Sequence, residues 1–132
     1  MDKSPELEQW VRRLFARFSS GDRASIAQLC SRQEGVLLLG TAPEEWLEGW
    51  NAIRQAHGTE TPGMGGAHLH VGDLRAYVEG AVGWAVDRSA LRLPNGTVLP
   101  MRHTLVLHRE EDEWRIVYAP ISFGVADEQA LR

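Results

Sequence analysis

Four side chains in this sequence could combine proton transfer with anion stabilisation if one face of a sheet collected them: His103, Arg88, Tyr118 and Ser122. Histidine titrates near neutrality, at about pH 6.5 when unperturbed, so His103 is the candidate catalytic acid or base. Arg88 opposite it would disfavour the imidazolium and could hold an anion or oxyanion, with Tyr118 as a hydrogen-bond donor and Ser122 as a further hydroxyl. Trp84, Trp46 and Trp50 are candidate ligand-binding walls, although large aromatics serve equally as core packing. A core histidine bonded to backbone, and a salt bridge at Arg88, are the structural alternatives.

Two hairpins must position these residues. Arg102–His108 and Trp114–Phe123 are rich in β-branched and aromatic residues, and Glu110–Glu113 joins them as a tight turn. With Glu111 and Asp112 as the central pair, Leu107 faces Ile116, Leu105 faces Tyr118 and His103 faces Pro120. Alternation then puts His103, Leu105, Leu107, Ile116, Tyr118, Pro120 and Ser122 on one face. The other face takes Arg102, Thr104, Val106, His108, Arg115, Val117, Ala119 and Ile121. Upstream, Ala67–Val78 and Ala81–Leu93 read as strands, and Pro94-Asn95-Gly96-Thr97 as a turn. Centring that turn on Asn95-Gly96 sets Arg88 against His103, Val86 against Leu105 and Trp84 against Leu107, with Asp87 outward. A bulge would shift this register.

The N-terminal half supplies helices. Ser4-Pro5 is a helix start, followed by an apolar stripe of Leu7, Trp10, Val11, Leu14, Phe15 and Phe18. Ser19-Ser20-Gly21 ends it, and Asp22 can cap a second short helix to Leu29. Gly35–Gly40 reads as a buried strand, and a helical stretch after Pro43 puts Trp46, Trp50 and Ile53 on one face. Gly58–Gly66 is a Gly/Pro-dense connection that could act as a lid. Helices followed by a four-stranded antiparallel meander make an α+β domain.

The run Arg102-x-Thr104-x-Val106, a charged turn, then Trp114-x-Ile116-Val117-x-x-x-x-Ser122 resembles the SnoaL-like branch of the nuclear transport factor 2-like superfamily. Gly40-Thr41-x-Pro43-x-Glu45-Trp46-x-x-Gly49 resembles the same pattern, and the likeness spans nearly all of residues 1–132. It implies one domain, a cone-shaped curved antiparallel sheet wrapped around N-terminal helices (a cystatin-like roll), and a small organic ligand in the cone. It also implies a homodimer through the outer sheet face, where Val106, Val117, Ala119 and Ile121 form an apolar patch. Many relatives carry histidines where this chain has Tyr118 and Pro120. Two functions stay open: cofactor-independent cyclase, isomerase or dehydratase chemistry by proton transfer, or a non-catalytic ligand-binding or dimeric interaction module.

Composition narrows the remainder. A length of 132 residues with 43% hydrophobic and 24% charged residues suits one globular core, and a formal charge of −4 argues against nucleic acid as the main partner. No apolar run is long enough to span a membrane, and no signal-peptide core opens the chain, so a cytoplasmic location is expected. Cys30 is the only cysteine and reads as a buried thiol. His68 and His70 share a strand face and could ligate metal, but no third ligand is fixed beside them, so neither metal nor cofactor is expected.

Overall fold

The computed structural model describes residues 1–57 and 66–132. Ser4 accepts a hydrogen bond from the Leu7 N–H at 3.1 Å and caps α1 (Pro5–Ser19), whose apolar stripe of Leu7, Val11, Leu14 and Phe15 is buried. Asp22 Oδ1 accepts from the Ser25 N–H at 3.2 Å and starts the short α2 (Ala24–Gln28). The strands are β1 (Asp2–Lys3), β2 (Leu37–Leu39), β3 (Trp46–Glu48), β4 (His68–Glu79), β5 (Val82–Arg92), β6 (Val98–Glu110) and β7 (Glu113–Phe123). The helices α3 (Trp50–His57) and α4 (Asp127–Ala130) complete the elements among the described residues.

These strands form one curved sheet in the order β1-β4-β5-β6-β7-β2-β3. The expected antiparallel meander is β4 to β7. The short β2 extends it by pairing in parallel with β7, so the sheet is mixed. Helix α1 covers the inner face, packing on Leu74, Ala76, Ala85, Leu105, Leu107, Trp114 and Ile116. Cys30 is buried, and that burial pushes its thiol up to about 12 against the opposing pull of Arg115, which leaves it unreactive. Most of the Gly58–Gly66 connection lies outside the described residues.

Four sequence expectations fail locally. The β5–β6 turn has three residues, not two: Gly96 donates to the Leu93 carbonyl at 2.9 Å and Leu93 donates to Thr97 at 2.8 Å. Only Gly96 has positive φ, at 88°, because Pro94 selects a type I turn with a following left-handed residue. The register therefore slips by one, and a slip of one exchanges the two faces of a strand. Asp87, not Arg88, stands opposite His103, and Gly83, Ala85, Asp87, Ser89 and Leu91 point inward.

The β6–β7 turn is as expected, with Glu111 and Asp112 both at positive φ, and Leu107 faces Ile116. A bulge at Val117 then shifts the register, so Tyr118 faces Val106 and Ile121 faces His103. Ala119 and Ile121 thereby turn inward and pack on the core, leaving the expected outer patch. Lastly, Trp46 lies in β3 rather than in a helix. Gly49, at φ 87°, separates it from Trp50 at the start of α3. Strand β2 is half-buried rather than enclosed.

Candidate functional site

The inner face of β5 and β6 carries a small polar group inside an otherwise apolar layer. Asp87 is 2% exposed and Ser89 5%, and His103 sits beside them, partly covered by Phe15 of α1 at a ring separation of 5.1 Å. Ser89 Oγ and His103 Nδ1 are hydrogen-bonded at 2.8 Å. Burial lowers the imidazole pKa to about 4, so His103 is neutral at physiological pH. A neutral imidazole has one donor and one acceptor nitrogen, so the Ser89 bond decides the role left to Nε2. No hydrogen bond to Nε2 forms among the described residues, which leaves that atom for a ligand.

Asp87 is positioned by a second bulge. Strand β4 gains one residue between His70 and Asp73, and the Gly72 N–H it frees donates to the Asp87 carboxylate at 3.2 Å and 3.4 Å. Burial raises the Asp87 pKa, while the Gly72 bond and the Arg12 guanidinium on α1 pull it back. Directly opposite His103, this carboxyl could accept or hold a proton as well as anchor the bulge.

Of the sequence candidates, His103 faces inward. Arg88, Trp84, Tyr118 and Ser122 do not join it: the turn slip and the Val117 bulge place them on the outer face. Arg88 has a side chain 75% exposed and bonded to Asp73 at 2.9 Å. Trp84 stacks on Tyr77 at 4.8 Å, Tyr118 stands between Val106 and Leu37, and Ser122 lies opposite Arg102. Trp46 is 57% exposed at the sheet edge. Trp50 donates to the Ala27 carbonyl at 3.1 Å, and the Arg32 and Arg54 guanidiniums lie over its ring. His68 and His70 face outward, and the described residues contain no group of three side chains suited to a metal ion.

Sequence reasoning turned Asp87 outward and did not single out Ser89. The signal was the run Gly83-x-Ala85-x-Asp87-x-Ser89, too small to read as an inner face. Small residues are required there because α1 lies close: a Cβ on Gly83 would stand 2.7 Å from Leu7 Cδ2.

Comparison with known proteins agrees with this fold. A ketosteroid isomerase, so named only provisionally, from Parabacteroides distasonis superposes with a TM-score of 0.73 at 18% identity, covering 89% of this chain and 86% of the other. Nuclear transport factor 2 of Cryptosporidium parvum gives 0.76 at 11% identity, covering 94% and 99%. A nuclear transport factor 2-like protein with a cystatin-like fold from Novosphingobium aromaticivorans gives 0.69 at 22%, covering 96% and 86%. No curated protein sequence matches. Identities this low establish the fold alone, but the SnoaL-like domain family matches residues 7–126, nearly the whole chain. The chain therefore belongs to the SnoaL-like domain family, built on the nuclear transport factor 2-like fold.

Proposed function

We propose that this chain binds a small, mostly apolar organic molecule against the inner sheet face beside α1 and rearranges it by proton transfer at His103. The observation that carries this reading is the Ser89–His103 pair, a neutral imidazole held in an apolar layer with Nε2 unbonded among the described residues. Asp87 supplies a second titratable group opposite it, and the two environments push in opposite directions, the imidazole down and the carboxyl up. The reaction class is isomerisation, cyclisation or dehydration, none of which needs a cofactor when an acid and a base are in place.

The test is a thermal-shift screen of phenols, polycyclic ketones and small carboxylates, followed by turnover assays on any compound that binds. A ligand present at a hundred times its dissociation constant stabilises by about 2.7 kcal/mol. His103→Ala is expected to abolish turnover and keep the fold. A variant that turns over normally sinks the catalytic assignment, and binding without turnover in the wild type supports the non-catalytic reading instead.

The reading includes a homodimer through the outer face. One row across the sheet sets Tyr77, Trp84, Val106 and Tyr118 side by side, half-buried and apolar, on the face that α1 leaves open. Trp84→Glu is expected to give monomers of unchanged circular dichroism in sedimentation. A wild type that sediments as a monomer at high micromolar concentration overturns this part.

A further inference from the structure

Asp73, Arg75, Arg88 and Arg102 enclose an outer-face groove of about 290 Å3, with Val86 and Thr104 in its floor. Asp87 and His103, the facing pair of β5 and β6 between these residues, also line it. The register places Asp73, Arg88, Arg102 and Ser122 in one row across β4, β5, β6 and β7. Asp73 Oδ2 accepts from Arg88 at 2.9 Å and from Arg75 at 3.2 Å. Those two bonds, Arg88 first, hold the Asp73 carboxyl below its usual range, so it is fully charged at neutral pH. Arg102 stands directly opposite Arg88 and forms no ion pair among the described residues.

Like charges directly opposite on a sheet repel. Two guanidiniums share one carboxylate here and a third stands beside them unpaired among the described residues, on a chain whose formal charge is −4, so the positive cluster is not a by-product of a basic composition. Guanidinium forks match planar or tetrahedral oxyanions and are held apart at the right scale by adjacent strands. We propose that this groove binds an oxyanion group, the carboxylate or phosphate of a small molecule, between Arg88 and Arg102, with the Thr104 hydroxyl as a further donor. Asp73 acts as the resident anion that positions Arg75 and Arg88 and competes with the ligand.

The test is isothermal titration of the whole chain at low ionic strength, with citrate as the carboxylate probe, pyrophosphate as the phosphate probe and sodium chloride at matched ionic strength as control. Saturable binding of either probe is expected, weakened at least tenfold by Arg102→Gln and by Arg88→Gln. Asp73→Asn, which releases both guanidiniums, should tighten binding several-fold. The tighter probe names the ligand class. Binding no stronger than the chloride control, an Arg102→Gln variant that binds like the wild type, or weaker binding by Asp73→Asn would each overturn the proposal.

Discussion

Gly72→Ala is expected to remove about 3 kcal/mol or more of unfolding free energy, a severe loss for a chain whose margin is of the order of 10 kcal/mol. The cause is local and backbone-borne. A Cβ on Gly72 would overlap the Arg88 carbonyl oxygen of β5 and come to 3.0 Å from its carbonyl carbon. Strand β5 cannot retreat, because β6 pairs along its other edge. If β4 moves instead, the Gly72 N–H leaves the Asp87 carboxylate, which is buried and has that bond as its anchor. In urea the midpoint should fall without a large change in slope, and the melting temperature should fall by roughly 10 °C. Gly124→Ala is the matched control: there a Cβ would find nothing nearer than the Pro100 Cβ at 3.7 Å, an ordinary van der Waals contact. Equal melting of Gly72→Ala and wild type would mean that the bulge is not held as described.

Acid should destabilise the protein well above the range in which exposed carboxylates titrate. His103 has a native pKa of about 4 against 6.5 when free. Between those values the unfolded chain takes up a proton that the folded chain refuses, so stability rises with pH across this window and falls as pH drops through it. The loss approaches about 3 kcal/mol at the low end, at 1.36 kcal/mol per pH unit. Asp87 works in the opposite sense: its raised pKa lets the folded state gain a proton first, which offsets part of the loss. The lowered pKa of Glu110, bonded to His108 and Ser31, contributes a loss only below its ordinary value of 4.5. Urea melts of wild type and His103→Gln from pH 7.5 to pH 4 isolate the imidazole. The wild-type curve should slope between pH 6.5 and pH 4, and the variant should be distinctly flatter. Parallel curves would show that His103 is not held neutral by burial.

What the sequence made legible follows the length scale of each signal. The α1 stripe and its Ser4-Pro5 start were readable because helical periodicity repeats over four turns and the cap is chemically specific. The Glu111-Asp112 turn and the Leu107–Ile116 pairing were readable because a two-residue turn fixes register nearby. Faces farther along the strands were not, since one extra residue inverts everything beyond it. At Val117 the trace was present: apolarity moves from Ile116 to Ala119 and Ile121, a change of parity within one strand. At Pro94-Asn95-Gly96 the proline outranked the Asn-Gly pair, and that single residue moved Arg88 out and Asp87 in. His103 kept its face because the slip fell on its partner strands and not on β6.

The parallel pairing of β2 with β7 constrains the order in which the chain can fold. Leu37 meets Tyr118, and Ser31 donates to the Ile116 carbonyl at 2.8 Å, so residues made early must wait for the last strand before their edge of the sheet exists. Local hairpins from β4 to β7 can form first, because their ends are close in sequence. The β2–β3 ribbon and Cys30 then dock on β7 as a late event, closing a loop of some eighty residues. Until that happens, one edge of β7 is open, and on the ribosome it is the moment of greatest exposure to a wrong partner.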